Sequence, residues 1–189
     1  ACGVDFNDLL RLFEHQDPKD RDSAILFGDG AGAVVIKKTK EQENTPTPAG
    51  SGQAKSQDKQ NIKEIVLSSV PGRNAITDQH GGYFKMERTS VKENILELVL
   101  TNLSKKACKD IDHFFFHQAS KRVLDDITRA LSIPVKKIHS TLWDYGNTGA
   151  ASIPLTLDAA VRSNKIHKGD QVLLCGFGAG YEYVHVILE

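Results

Sequence analysis

DHFFFHQASKRVLDDITRALS, residues 112 to 132, is the stretch on which the fold turns. Its first half, DHFFF, is a short continuous apolar run, which suits a strand covered on both faces of its sheet. Its second half changes period. Val123, Leu124, Ile127 and Leu131 recur at helical spacing, and Ser120 stands where an N-cap hydroxyl would accept from the first turn. Between the two lies His117, one residue past the apolar run. In α/β sheets functional groups collect beyond the carboxyl ends of the strands. From position alone, a histidine that merely caps the strand-to-helix turn is an equal reading.

Working outward, IKEIVLSSV (62 to 70) reads as a strand, and SVKENILELVLTNLSKKA (90 to 107) sets Val91, Ile95, Leu98, Val99 and Leu103 on one helical face. GAASIPLTLDAAVRSN (149 to 164) reads as a third helix, with Pro154 tolerable only in its first turn or at a kink. DQVLLCGF (170 to 177) and YEYVHVIL (181 to 188) read as strands joined by a glycine-rich link. The order β-α-β-α-α-β-β implies an α/β layered fold with a mostly parallel sheet. Upstream, SAILFGDGAGAVVI (23 to 36) reads as two short strands around a glycine turn. The segment 37 to 61 has no large apolar residue and is rich in Lys, Gln, Thr, Gly and Pro, the composition of a mobile insertion or linker. The opening ACGV reads as the tail of a buried strand, so the expectation is a fragment or processed product of a longer protein.

The 189 residues carry 24 basic and 24 acidic side chains, a balance that argues against nucleic acid or an anionic membrane as the main partner. No stretch has the apolar length of a membrane span. Three widely spaced cysteines, Cys2, Cys108 and Cys175, with no CxxC, favour reduced thiols and a cytoplasmic setting over a disulfide framework or zinc site.

Two further junctions stand out. Asn147 in DYGNTGAAS precedes a helix start, and taken alone it reads as an ordinary turn or cap asparagine. GFGAGY, residues 176 to 181, links two strands, whereas a dinucleotide loop opens a helix. It reads better as a tight loop offering backbone N–H groups to a developing oxyanion.

Four segments together, FGDGAGAVVI (27 to 36), HQASKR (117 to 122), YGNTGAASIPLTLDAAV (145 to 161) and GDQVLLCGFGAG (169 to 180), resemble the C-terminal part of the β-ketoacyl-acyl-carrier-protein synthase III family. These are condensing enzymes of thiolase fold. The resemblance implies an αβαβα layered fold of two related halves. Residues 62–189 would form the second half, residues 1–36 the end of the first, and 37–61 an insertion between them.

It also implies site residues. His117 and Asn147 would be two members of a Cys-His-Asn triad, stabilising the enolate of a decarboxylating malonyl thioester. The Ala179 backbone N–H would serve an oxyanion hole, Phe177 and Gly178 would line the substrate pocket, and Arg122 would dock acyl carrier protein. For Arg122 an exposed helix arginine is an equal reading. The family's nucleophilic cysteine belongs to the N-terminal half, so Cys2, Cys108 and Cys175 read as structural, and this chain alone should be inactive. No cofactor is implied beyond acyl-CoA as substrate. The implied partners are acyl-CoA, malonyl-acyl carrier protein, the N-terminal half and a second copy of the complete enzyme. The implied function is the start of fatty acid synthesis in the cytoplasm. The alternatives are a thiolase-fold acyltransferase, a specialised-metabolite ketosynthase, or a non-catalytic subunit of a heteromeric synthase.

Overall fold

The computed structural model describes residues 2–4, 27–35, 61–70, 76–77, 85–86, 88–178 and 180–189. The polar segment 37–60 and Ala179 lie outside the described residues. Among the described residues, eight strands and four α-helices follow in order: β1 (Cys2–Val4), β2 (Gly30–Gly32), β3 (Ile62–Ser69), β4 (Ile76–Thr77), β5 (Lys85–Met86), α1 (Arg88–Asn102), β6 (His113–Phe116), α2 (Lys121–Leu131), α3 (Leu142–Tyr145), α4 (Ser152–Arg162), β7 (Val172–Gly178) and β8 (Glu182–Leu188). Among them no helix is long and apolar enough to cross a membrane.

The main sheet has the order β3-β8-β7-β6. β6 and β7 are parallel, but β8 runs antiparallel to both β7 and β3. The expected mostly parallel sheet is therefore corrected. Only residues 179 to 181 separate β7 from β8, too few for a crossover, so the chain must turn back beside β7. β8 settles between β7 and β3, which makes both of its pairings antiparallel.

The alternation of β6 distributes its aromatics. Phe114 and Phe116 face one core, with Leu173, Cys175 and the apolar sides of α1 and α2. Phe115 faces the other, with Leu174 and with Ile153, Leu157 and Ala160 of α4. All three phenylalanines are fully buried, each contributing about 1.5–3 kcal/mol. The helix expected over 90 to 107 ends at Asn102, but the apolar set read from it, Val91, Ile95, Leu98, Val99 and Leu103, is buried throughout. On α2, Leu124, Ile127 and Leu131 are buried and Ser120 accepts from the Val123 N–H, as its N-cap position requires. Pro154 lies in the first turn of α4, where its missing N–H breaks no helical bond.

On its far side α4 meets β2, and β1 packs on the turn of residues 149–151 that leads into α4. β2 pairs antiparallel with β1. The glycines expected to form a turn instead run extended, and alternation puts Gly28, Gly30 and Gly32 on one face. A Cβ on Gly30 would come within 2.9 Å of Thr148 and 2.8 Å of Leu155, and one on Gly32 within 2.5 Å of Pro154. Only side-chain-free positions let this strand lie so close to α4. The layers thus run α1/α2, main sheet, α4, β1–β2, which is α, β, α, β.

Candidate active site

His117 follows β6 directly, and its backbone N–H extends the ladder by donating to the Cys175 carbonyl at 2.8 Å. Alternation carries its ring to the α4 face, where Nδ1 lies 2.8 Å from the Ser152 Oγ. The Phe177 ring meets it edge-on, with centroids 5.4 Å apart. Burial lowers the imidazole pKa to about 4, and a hydrogen bond to the Gly149 backbone opposes this only in part. At neutral pH the ring is therefore uncharged and carries a single N–H.

Asn147 is reached through α3, which stops at Gly146 with φ of 67°, a conformation that favours glycine. Its backbone carbonyl accepts from the Gly28 N–H at 2.9 Å, so the glycine strand anchors the loop. The side chain is 5% exposed. Its Oδ1 accepts from the Gly149 N–H at 2.9 Å. A backbone N–H can only donate, so the amide oxygen must face Gly149, and the amide nitrogen is left as the group this residue can present. His117 and Asn147 are thus oriented by one short segment, residues 147 to 152.

Gln118 ties the junction together. Its amide nitrogen donates to the Phe116 carbonyl at 2.7 Å, while its Oε1 accepts from the Ser140 hydroxyl at 2.7 Å and the Thr141 N–H at 3.3 Å. Its own N–H donates to Ser152 Oγ at 3.2 Å. Gln118, Gly149 and Ser152 escaped the sequence reading. A polar residue directly behind an apolar strand was the signal for Gln118, whereas Ser152 sits in a run of small residues and carries no pattern of its own.

The chain matches the family described as 3-oxoacyl-[acyl-carrier-protein] synthase III twice, by its C-terminal region at residues 103–189 and by its other region at residues 11–50. It is similar to the β-ketoacyl-[acyl-carrier-protein] synthase III of Prochlorococcus marinus strain MIT 9312, at 35% identity over 95% of this chain and 56% of that protein. It is also 35% identical to the acetoacetyl CoA synthase NphT7 of Streptomyces sp. strain CL190, over 92% of this chain and 55% of that protein. Among solved structures, the synthase III of Aquifex aeolicus superposes with a TM-score of 0.72 at 28% identity, covering 95% of this chain and 55% of that one. The chain belongs to the β-ketoacyl-acyl-carrier-protein synthase III family. It spans about half the length of the curated relatives it matches. The thiolase-like layered fold expected from its motifs is the fold of its structural neighbours.

Within this synthase III chain, the expected pocket residues separate. Phe177 is buried against the His117 ring. Gly178 faces open space, with nothing within 4 Å of where a Cβ would stand. Ala179 lies outside the described residues. Arg122 is exposed on α2, away from the bonds that fix His117 and Asn147. Cys108 and Cys175 are free and buried, and burial pushes their thiols up to about 11 and about 12. Neither supplies a thiolate near neutral pH. Cys2 pairs through its backbone with Gly32, and its side chain lies outside the description.

Proposed function

We propose that this chain carries the His-Asn part of a condensing site. In the complete protein, an acyl group passes from acyl-CoA to a cysteine of the N-terminal half. A malonyl thioester on acyl carrier protein then loses carbon dioxide to give an enolate. The enolate carbon attacks the acyl-cysteine carbonyl, the new carbon–carbon bond forms, and the cysteine leaves as thiolate. The observation that carries this reading is the shared orientation of two neutral N–H groups, on His117 and Asn147, by residues 147 to 152. Neutral donors stabilise an enolate oxygen without handing its carbon a proton too early. Phe177 and Gly178 line the acyl pocket, the Ala179 N–H joins the oxyanion hole, and Arg122 docks the carrier protein. Residues 1–36 and 62–189 belong to the two halves, with 37–61 inserted between them. The complete protein is a cytoplasmic homodimer and needs no cofactor besides its acyl-CoA substrate.

The test is to incubate the complete protein with acetyl-CoA and malonyl-acyl carrier protein while following carbon dioxide release. Release dependent on both substrates is expected, and none across several acyl-CoA lengths would overturn the reading. The similarity to an acetoacetyl CoA synthase favours a second arm with malonyl-CoA in place of the carrier-bound substrate. Faster release in that arm would assign a CoA-linked acceptor.

A further inference from the structure

Gln118 is fully buried one residue past His117, and every hydrogen-bonding position of its amide is filled. The amide nitrogen donates to the Phe116 carbonyl at 2.7 Å and to the His139 carbonyl at 3.5 Å. Its Oε1 accepts from the Ser140 hydroxyl at 2.7 Å and the Thr141 N–H at 3.3 Å. Carbonyls only accept and a backbone N–H only donates, so these partners leave the amide one orientation. The bonds begin where backbone pairing stops. The His139 N–H donates to the Phe114 carbonyl, tying the 138–139 backbone to β6. Beyond His139 the Gln118 side chain takes over, and its hold passes to α3. The Ser140 hydroxyl that donates to Oε1 also accepts from the Leu142 N–H, the first of that helix. α3 is a single turn ending at Gly146, and the next residue is Asn147. Through its backbone N–H, Gln118 also donates to Ser152 Oγ at 3.2 Å, and that oxygen lies 2.8 Å from the His117 ring. The contacts therefore close a ring that runs from Gln118 through residues 140–141, α3, Asn147 and residues 149–152 back to Gln118.

We propose that Gln118 is a positioning residue for condensation, fixing how far the His117 imidazole stands from the Asn147 amide. Two groups serve one enolate oxygen only if both reach it together, and a misplacement of about 1 Å costs much of their effect. One peptide bond joins His117 to Gln118, and Asn147 hangs from the helix that Gln118 grips. The 147–152 segment orients each group. The Gln118 amide sets the frame, from the end of β6 to the start of α3, in which that segment is held. A side chain of the same length without polar atoms would leave the Phe116 carbonyl and the Thr141 N–H buried and unpaired, so residues 140–141 would shift to find other partners. The catalytic consequence rests on the condensing reading above, but the spacing does not.

The experiment is a set of mutant cycles on the complete protein, with Gln118→Met made in wild type, in His117→Ala and in Asn147→Ala. Carbon dioxide release gives kcat, and crystal structures of wild type and Gln118→Met give the separation of the His117 ring from the Asn147 amide. In the wild-type background Gln118→Met should lower kcat roughly tenfold, short of the about 10²–10³-fold loss of a whole donor, with KM for the malonyl thioester unchanged. In either background that lacks one of the two groups it should cost no more than about twofold, since a spacing matters only while both are present. The separation should change by roughly 0.5–1 Å. Should Gln118→Met unfold by circular dichroism, Ser140→Ala removes one bond to Oε1 and is read in the same way. An equal rate loss in all three backgrounds, or an unchanged separation in a folded variant, overturns the proposal. The expected shift in a protein that releases no carbon dioxide would uphold Gln118 and sink the condensing reading instead.

Discussion

The apolar run of β6 lies between two histidines on the same face, His113 at its start and His117 just past its end, and their surroundings differ in kind. His113 Nε2 meets the Asp170 carboxylate at 3.0 Å, and its Nδ1 meets His139 Nε2 at 2.9 Å. His117 meets a hydroxyl, an aromatic edge and the backbone of Gly149. At His113 the ring meets a carboxylate; at His117 the desolvation of the buried ring outweighs the hydrogen bond to the Gly149 backbone. The residue type is the same, so sequence cannot rank them. What separates them is which end of the strand they occupy and what α4 and the 147–152 segment bring to that end.

The comparison breaks first by substitution. In the complete protein His117→Ala should lower the condensation rate by about 10²–10³-fold. His113→Ala should leave the rate within about twofold and act on thermal stability instead. Equal rate losses would show that the two ends are not chemically distinct.

This contrast also shows what the sequence could and could not reveal. His117 was legible because an apolar run, an imidazole and an N-cap serine follow one another along the chain. Asn147 was legible only beside it, through motifs shared with a family. Ser152 and Gly149 were not legible, because their part depends on α4 meeting the end of β6 across some thirty residues. The row Gly28, Gly30 and Gly32 reads as a turn from composition, and only the closeness of Thr148, Leu155 and Pro154 shows it to be a bare strand face. The placement of β8 beside β3 is likewise a packing outcome, because a hairpin fixes only its neighbour β7.

The glycine strand supplies the next largest effect. A Cβ on Gly28 would fall 1.9 Å from the Tyr145 carbonyl oxygen, and the Gly28 N–H holds the Asn147 carbonyl. Gly28→Ala should destabilise the protein by about 1–3 kcal/mol and reduce condensation with it. Gly178→Ala, in open space, should leave the melting temperature nearly unchanged. A Gly28→Ala protein with normal stability and rate would detach the glycine strand from the site.

The pH dependence sharpens the contrast further. His117 holds its pKa near 4, so its protonation should depress the condensation rate only as pH falls towards 4, not at the ordinary histidine value of 6.5. Rate profiles between pH 4 and 8, corrected for unfolding by circular dichroism, check this. A limb near 6.5 that disappears in His117→Gln would show the ring to be solvated.

At the other end the effect is smallest. The His167 backbone N–H, and then the His113 ring, hold the Asp170 carboxyl below the usual carboxylate range. A depressed carboxyl stabilises the fold above its unfolded pKa, and that contribution is lost as pH falls through the native value. Asp170→Asn should therefore lower the melting temperature modestly at pH 7, with the gap to wild type closing in strong acid. A gap that persists unchanged at low pH would point to packing rather than charge.

We propose that His117 and Asn147 serve decarboxylation and condensation rather than acyl transfer to cysteine. Intact mass after acetyl-CoA reports the acyl-enzyme, and carbon dioxide release on adding malonyl-acyl carrier protein reports the later step, both on the complete protein. His117→Ala and Asn147→Ala should each still form the acyl-enzyme while carbon dioxide release falls by about 10²–10³-fold. Release that survives both substitutions would contradict the account.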